Sequence, residues 1–344
     1  MLSLKSYKNK KIVITGGASF IGSHLAELLL DNGAKITIID NLSSGTKGNI
    51  NQIINDVNFI KGDVREKDII DKALKGNEMV FHLAAMHGGR GYIDTHPVEC
   101  LNNMSLDHTV YESSIRNDIQ NIVHASSACV YPTNLQNSEI DRGLLKEEQA
   151  NFEEPGKAFS DGEYGWAKLM GELQLNAFIK QYGITGTSAR IFTAYGEREN
   201  ESHAVIALIA KAILKLDPFP IWGNGKQTRN FTYVKDTVMG LALGGLNEKG
   251  FDVINVGSST HNTVLELCDE IFNSLNWKPD SFDFQLDKPV GVKSRASDNS
   301  KILANYEWEP NISLKNGVAN TVDWYASNTK IKTFEDLDNL LMSR

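Results

Sequence analysis

The chain has 344 residues, of which 41% are hydrophobic and 23% charged, and its formal net charge is -8 at pH 7. This length allows either two domains or one large α/β unit with an added lobe. The acidic balance argues against nucleic acid or an anionic membrane surface as a partner, although it leaves room for a local basic pocket that takes one phosphate ligand.

The first half of the chain alternates short apolar runs with segments of helical periodicity. Strands are predicted over 11–15, 35–40, 57–64, 79–85 and 121–131. Helices are predicted between them, over 20–33, 66–75, 103–117 and, further on, 164–181. This alternation predicts an α/β fold with a doubly wound parallel sheet and right-handed crossovers.

The alternation weakens after about residue 195, and a strand-like run returns only at 251–259. We therefore expect residues 1–195 to form the main domain, with returns to its sheet near 229–259. Residues 196–330 are expected to form mainly a smaller lobe. The polar segment 331–344 is predicted to be a mobile tail or a docking helix.

Three widely spaced cysteines argue against a disulfide framework and against a zinc site, and no metal is expected. The N-terminal residues lack the long apolar core of a signal peptide, and no apolar run is long enough to span a bilayer. A cytoplasmic location is the default expectation.

The first predicted strand leads into "TGGASFIG" (15–22), which opens the next helix. Backbone N–H groups at a helix N-terminus bind a pyrophosphate, and Gly16 and Gly22 permit its close approach, whereas Ser19 stands where a third glycine is often found. Asp40 ends the second strand, where a carboxylate can bind ribose hydroxyls and repel a 2′-phosphate, which favours NAD over NADP. The alternative is a structural tight turn with a solvated aspartate.

Tyr164 and Lys168 in "YGWAK" lie at positions i and i+4, on one face of a helix. The ammonium is expected to lower the pKa of the tyrosine toward neutrality, so that the phenolate can take a proton from a sugar hydroxyl. Ser127 ends a predicted strand, where it can bond a substrate hydroxyl and share its proton with Tyr164. A chance surface pair and a backbone-capping serine are the alternatives.

Together these motifs resemble the extended short-chain dehydrogenase/reductase family, in particular its nucleotide-sugar epimerase and dehydratase branch. The resemblance extends from Lys11 to about Trp324 and also includes "IIDNLSSG", "GDV", "HLAA", "RIFTAYG", "QTRNFTYVKD" and "SRASDNSK". It implies a Rossmann domain that holds NAD and a C-terminal lobe that holds a nucleoside-diphosphate sugar. It also implies a homodimer built through the helices at 103–117 and 164–181.

The resemblance implies specific ligand contacts. Those with NAD would come from Gly16, Ser19, Phe20, Ile21, Gly22, Asp40, Asn41, Ser44, Asp63, Val64, Leu83, Ala84, Ala85, Asn103, Tyr164 and Lys168. Those with the substrate would come from His87, Gly88, Gly89, Ser127, Cys129, Thr193, His203, Arg229 and Arg295. The two arginines would hold the diphosphate in forked pairs of hydrogen bonds, with surface solvation as the alternative.

Within this branch, "SSACVYP" resembles the matching segment of the GDP-mannose 3,5-epimerases, in which the cysteine is an acid/base. The carboxylates that 4,6-dehydratases carry at this strand end are absent. Those epimerases use a lysine as the second acid/base, and His203 stands at that position here, with His87 as the alternative. Thr193, where an asparagine is usual, and Ser19 are further departures. A small buried residue is the alternative role for Cys129.

The leading hypothesis is an NAD-dependent nucleotide-sugar epimerase that oxidises C4 transiently and then inverts C3, C5 or both. The second hypothesis is a 4-epimerase of the UDP-glucose or UDP-glucuronate type, in which Cys129 and His203 are bystanders. A non-catalytic NAD-binding sensor on the same fold is a third, although such proteins typically lose the tyrosine–lysine pair.

Overall fold

The computed structural model describes residues 4–140 and 142–341. Its strands are β1 (Lys11–Thr15), β2 (Lys35–Asp40), β3 (Asn58–Lys61), β4 (Met79–His82), β5 (Asn121–Ser127), β6 (Thr185–Ile191), β7 (Ala194–Tyr195), β8 (Phe219–Trp222), β9 (Thr228–Arg229), β10 (Thr232–Tyr233), β11 (Phe251–Val256), β12 (Asn262–Thr263) and β13 (Phe282–Gln285). Its helices are α1 (Phe20–Asp31), α2 (Lys67–Leu74), α3 (Arg90–Thr95), α4 (Pro97–Leu101), α5 (Asn103–Arg116), α6 (Gly162–Tyr182), α7 (Ala204–Ile213), α8 (Val234–Gly244), α9 (Val264–Leu275), α10 (Ser300–Tyr306), α11 (Leu314–Asn328) and α12 (Phe334–Leu341).

Seven parallel strands form the main sheet in the order β11-β6-β5-β4-β1-β2-β3. Helices α1 and α8 pack against each other, and α5 packs against both α2 and α6. The order along the sheet reverses between β1 and β4, and in doubly wound sheets a ligand crevice opens at this point. The predicted Rossmann-type α/β fold is confirmed.

The predicted strands are all present, and four of them, β3, β4, β5 and β11, end earlier than expected. Strand β4 stops at His82 and β5 at Ser127, where the hydroxyl of Ser127 accepts a hydrogen bond of 3.1 Å from the backbone N–H of Cys129. The chain then turns through a 3-10 segment, Ala128–Val130. This turn carries Cys129 off the sheet and to the cleft described below.

Strand β6 is not among the strands that the sequence analysis predicts. It reads "TGTSARI", and its Thr187, Ser188 and Arg190 are all buried, so it lacks the apolar run of a buried parallel strand. Arg190 is paired with Glu172 of α6, Nη2 to Oε2 at 2.8 Å and Nε to Oε1 at 3.0 Å. The pair explains how a central strand holds an arginine.

The sheet and the C-terminal segments share one continuous apolar cluster. It contains residues of β1, such as Ile14, and of α8, such as Leu241, together with Ile209 of α7, Leu267 of α9 and Val318 of α11. The last segment contains α12, which packs on α7 through the fully buried Leu337. Residues 1–3 and 342–344 of the predicted domain and tail lie outside the described residues. No helix in the described part of the chain has the length and apolar character to cross a membrane.

Candidate active site

A cleft of about 480 Å³ opens at the carboxyl ends of β1 and β4. Thr15 of β1 and His82 of β4 are the last paired residues of these neighbouring strands, and the loops that follow both strands line the cleft. This is the place where the sheet order reverses. All the residues predicted to touch NAD or the substrate line the cleft except Gly22 and Asn103.

The turn after β1 contains two glycines at positions where neighbouring backbone atoms come very close. Gly16 has a φ of +69° and packs against the loop after β4, because a Cβ on it would lie 3.0 Å from the backbone nitrogen of Ala84. A Cβ on Gly22 would lie only 2.2 Å from the carbonyl oxygen of Gly16. Gly22 therefore lies behind the turn, where it lets α1 start directly under the cleft. The N-terminus of α1 can bind a pyrophosphate there.

Asp40 lies at the end of β2 and is buried in the cleft wall. Its Oδ2 accepts a bond of 3.0 Å from Ala18 N, and its Oδ1 accepts one of 2.8 Å from Leu42 N. Each carboxylate oxygen has lone pairs beyond these bonds, so the group can also take ribose hydroxyls. The glycine turn, the helix N-terminus and this carboxylate fit a dinucleotide of the NAD type.

Asn103 is fully buried behind the loop after β4. Its Oδ1 accepts a bond of 2.7 Å from Met86 N, and its Nδ2 donates to Met86 O at 3.0 Å and to Cys100 O at 2.9 Å. It thus fixes the loop that lines the cleft. Direct contact of its side chain with NAD stays a prediction.

Tyr164 sits beside the Ser127–Cys129 turn because α6 approaches that turn closely. A Cβ on Gly165 would lie 2.2 Å from Cys129 O, which in turn accepts a bond of 2.8 Å from Asp161 N. Burial raises the pKa of Tyr164 well above its ordinary value, nearby Cys129 adds to the rise, and a hydrogen bond with Ser127 opposes it. Lys168 is not among the groups that shift this pKa, so the lowering toward neutrality by its ammonium stays a prediction.

Lys168 lies one turn after Tyr164 and is itself buried, which lowers its pKa, while Asp107 and Glu172 oppose the shift. Asp107 belongs to a fully enclosed group with His82 and His124, whose candidate ligand atoms lie within 4.8 Å of one another. A carboxylate with two imidazoles has the chemistry of a metal site. The electrostatic influence of the Lys168 ammonium on both Asp107 and His124 makes this group unfavourable for a cation.

Arg295 is held at the cleft by three side chains. Its Nη1 lies 3.4 Å from Cys129 Sγ, its Nη2 donates to Asp161 Oδ2 at 2.9 Å, and its Nε donates to Gln136 Oε1 at 2.6 Å. Burial alone would lower the pKa of Arg295, but Cys129 and Asp161 raise it. The sulfur therefore has a buried cationic donor as its neighbour. The sequence analysis assigned Arg295 only to the diphosphate.

Arg229 is the more available of the two predicted phosphate ligands. Its Nη1 and Nη2 donate to the carbonyl oxygens of Thr228 and Val290, both at 2.8 Å. The ion pairs found among the described residues include Arg295 and not Arg229. Burial, with repulsion from Arg295, lowers the pKa of Arg229 to about 9. An anion bound at this position would stabilise the charged guanidinium of Arg229 against burial and against the repulsion from Arg295.

His87 and His203 stack on each other with ring centroids 5.1 Å apart, and His87 also contacts the Tyr164 ring at 5.0 Å. A glycine makes this possible, since a Cβ on Gly89 would lie 1.8 Å from Ser202 O. The loop after β4 therefore packs directly on the loop before α7. The structure brings both candidate second acid/bases to the same place.

Three further cleft residues were not singled out by the sequence analysis. Asp161 bridges Arg295 and Arg90, and Glu199 lies beside His203. Lys211 of α7 is buried, donates to Pro220 O at 3.0 Å, and has a pKa lowered by burial to about 8. Asp161 immediately precedes the "YGWAK" helix, which was a usable signal, whereas the other two lie in segments without a motif.

Known proteins resemble this chain over most of its length. It is 32% identical to a GDP-mannose 3,5-epimerase of Arabidopsis thaliana over 327 residues, 92% of this chain and 82% of that protein. The structure of a UDP-glucuronic acid 4-epimerase from Bacillus cereus, solved with UDP-glucuronic acid and NAD, superposes with a TM-score of 0.81 at 28% identity and covers 92% of this chain and 99% of that one.

A UDP-N-acetylglucosamine 4-epimerase from Methanobrevibacter ruminantium M1, solved with UDP-N-acetylmuramic acid, superposes with a TM-score of 0.80 at 28% identity, covering 93% of this chain and 99% of that one. NAD is the cofactor, in agreement with the glycine turn, the N-terminus of α1 and the Asp40 carboxylate described above. Residues 12–257 match the family described as NAD dependent epimerase/dehydratase. This chain therefore belongs to the NAD-dependent epimerase/dehydratase family, whose members act on nucleotide sugars.

Proposed function

We propose that this enzyme oxidises its nucleotide sugar transiently at C4 and then inverts C3, C5 or both, as a 3,5-epimerase does. One observation carries the proposal: Cys129 Sγ faces the guanidinium of Arg295 at 3.4 Å, inside the cleft and beside the Tyr164–Ser127 pair. A cysteine that served only as packing would have no use for a buried cationic donor. We infer that this sulfur works on protons.

When bound, NAD supplies reversible acceptance of a hydride from a sugar carbon. Tyr164, hydrogen-bonded to Ser127, is placed to exchange the proton of the sugar hydroxyl at that carbon. The resulting ketone acidifies the hydrogens on the adjacent carbons, because the enolate places its charge on the ketone oxygen. A protonated Tyr164 donates to that oxygen and stabilises it.

Cys129 then removes the proton from C3 or C5 as a thiolate that Arg295 stabilises. The opposite configuration requires that a different group returns a proton to the other face of the ring. His203 and His87 both line the cleft near Tyr164, and an imidazole ring carries both a proton donor and a proton acceptor nitrogen. We assign the return to His203, because the buried carboxyl group of Glu199 lies 3.5 Å from its Nδ1.

The substrate is proposed to be a nucleoside-diphosphate sugar whose diphosphate is held by Arg229, with Arg295 close by. The similarity to the Arabidopsis thaliana enzyme makes GDP-mannose the first compound to try. We further propose that the sixteen residues predicted above form the NAD site, fourteen of them by direct contact with the cofactor. Of these, Gly22 and Asn103 would act from behind the cleft wall.

A 4-epimerase is the second candidate, and the two solved structures described above are both 4-epimerases of UDP-sugars. In such an enzyme the ketosugar rotates and takes the hydrogen back on its other face. Cys129 and His203 would then take no part. The Arg295–Cys129 contact has no role in that chemistry, and for this reason we rank the 4-epimerase function second.

Proton NMR in deuterated water distinguishes the two candidates. The enzyme is incubated first with GDP-mannose and then with a panel of UDP-sugars. The 3,5-type reaction introduces deuterium at C3, C5 or both, and Cys129→Ala abolishes it. Inversion at C4 without deuterium, at the same rate in Cys129→Ala, would assign the chain to the 4-epimerases.

A homodimer through α5 and α6 and a cytoplasmic location are also proposals. Helix α6 exposes Trp166 and Leu173, each with more than a third of its surface accessible, and such apolar residues on a helix face suit an interface. Light scattering after size exclusion should give twice the mass of the chain for the wild type, and a single-chain mass for Trp166→Glu. A wild-type monomer would exclude the dimer.

A further inference from the structure

Glu199 is a buried carboxyl group in the wall of the cleft, although no motif includes it. It is 6% exposed, and its Oε2 has no hydrogen-bond partner among the described residues. Its Oε1 lies 3.5 Å from Nδ1 of His203. A carboxyl group placed at one ring nitrogen of a histidine determines which tautomer the ring adopts.

Among the described residues, the ion pairs join Glu199 and His203 only to each other. The nearest arginine in sequence, Arg198, is turned away and binds Ser23 and Glu27. The ion pairs of the described residues give Glu199 no lysine or arginine, only His203. The other titratable groups that face His203 are His87, stacked on it, and Tyr164, in contact with His87.

Burial sets the protonation of both members. It raises the pKa of Glu199 well above the ordinary value of a carboxyl group and lowers the pKa of His203 to about 4. Near neutral pH the pair is therefore expected to be uncharged, with a protonated carboxyl beside a neutral imidazole. In that state a carboxyl proton directed at Nδ1, 3.5 Å from Oε1, would leave the ring hydrogen on Nε2.

We infer that Glu199 and His203 share one proton and that Glu199 is the positioning residue through which His203 returns a proton to the sugar carbon. The inference rests on the proposed function for its place in the reaction. It explains how a histidine can stand where the resemblance to the 3,5-epimerases implies an acid/base lysine. Without Glu199, a neutral imidazole would be a weak acid in this buried place.

The step balances. Cys129 takes the proton from the sugar carbon, and the electron pair of the broken C–H bond forms the enolate. The enolate carbon then takes the hydrogen on Nε2 of His203, while Nδ1 takes the proton of the Glu199 carboxyl. The inverted ketosugar, a Cys129 thiol and a Glu199 carboxylate result; return of the hydride to C4 from the reduced cofactor would give the product sugar, and exchange with water resets both groups.

The first test needs no substrate. Nitrogen-15 NMR of the histidine-labelled, full-length protein follows the ring nitrogens of His203, assigned by comparison with His203→Asn. In the wild type these signals should shift in a step well above pH 4.5, when Glu199 loses its proton. Glu199→Gln should lack that step, whereas Glu201→Gln should retain it, because Glu201 accepts a bond from Tyr325 and does not line the cleft.

The second test follows deuterium incorporation and product formation against pH. The wild type is expected to lose rate at high pH as Glu199 loses its proton, and Glu199→Gln should slow the reaction about 100-fold and abolish that pH dependence. If Glu199→Gln keeps the wild-type rate and the His203 step, the inference is overturned while the proposed function stands. If the wild type incorporates no deuterium but shows the step, the proposed function falls and the shared proton stands.

Discussion

The guanidinium of Arg295 lies between a thiol and a carboxylate, 3.4 Å from Cys129 Sγ and 2.9 Å from Asp161 Oδ2. Asp161 also pairs with Arg90, at 3.1 Å. Gln136 accepts a further bond from Nε of Arg295, so that Asp161 and Gln136 together direct Nη1 at the sulfur. This relationship leads to the first prediction.

Removing the guanidinium should make Cys129 less reactive. In Arg295→Met, alkylation of Cys129 by iodoacetamide at pH 7 should slow about tenfold, because a cationic donor that favours the thiolate is gone. Mass spectrometry of the Cys129 peptide measures the rate. Cys100 and Cys268 are buried and serve as internal references. Equal rates in both proteins would show that Arg295 does not act on the sulfur.

Tyr164 is expected to be essential. Tyr164→Phe removes the hydroxyl that bonds Ser127 and should lower kcat by about 100- to 10,000-fold while NAD still binds. Tyr182→Phe, half-exposed at the end of the same helix, is the matched control. Unaltered rates in Tyr164→Phe would favour the NAD-binding sensor, which was the third hypothesis from sequence.

Asp40 should determine which dinucleotide binds. In Asp40→Asn the negative charge that repels a 2′-phosphate is lost, together with a strong acceptor for the ribose hydroxyls. The affinity for NAD should fall about tenfold or more, and the preference for NAD over NADP should shrink. Titration calorimetry measures both constants, with the exposed Asp56→Asn as control. An unchanged preference would show that the carboxylate only holds the Ala18 and Leu42 N–H groups.

The Arg190–Glu172 pair should contribute to stability without touching the reaction. Glu172→Gln leaves a buried guanidinium without its carboxylate and should lower the free energy of unfolding by about 3–5 kcal/mol. Urea denaturation measures it. Glu163→Gln, exposed at the start of the same helix, should change the free energy little. A similar small change in Glu172→Gln would mean that the pair is not formed in solution.

His124 should make the protein less stable as the pH falls. Burial lowers its pKa to about 3, and neither ring nitrogen has a partner among the described residues. Below pH 6.5 the unfolded chain binds a proton that the folded protein rejects, so stability is lost as the pH falls toward 4.

At pH 5 this loss amounts to about 2 kcal/mol for His124. His124→Phe should flatten the pH dependence by that amount, measured by urea denaturation at pH 7.5 and pH 5. Since His203 has a pKa of about 4, it should contribute a separate loss of the same sign. The exposed-surface control is His108→Phe, which should leave the slope unchanged.

The sequence was sufficient for the parts of the fold that follow local rules. The strands β1, β2 and β4 are apolar runs, and the glycine turn before α1 has a recognisable spacing. Strand β6 was not predicted because its buried positions are polar, and Arg190 finds its charged partner, Glu172, only on a helix packed against the sheet. No local pattern contains such a pairing.

The same limit applies to the site. Ser127, Tyr164 and Lys168 could be found because their spacing within strand and helix is fixed. Arg295 could be named as a cation near the ligand, yet its contact with Cys129 joins residues 166 positions apart and depends on the folded loops. Glu199 carried no signal at all, since its significance arises from burial and from the histidine beside it.

The shared apolar cluster has a consequence for how new specificities could arise on this scaffold. Ile14 of the central sheet and Val318 near the C-terminus belong to the same packed interior. A C-terminal segment exchanged with that of a relative would present a mismatched surface to the sheet, so grafting of whole segments should fail. Variation in the loops before α7 and after β4 changes what the cleft accepts without disturbing that interior. Point changes in these loops are therefore the accessible route to a new substrate.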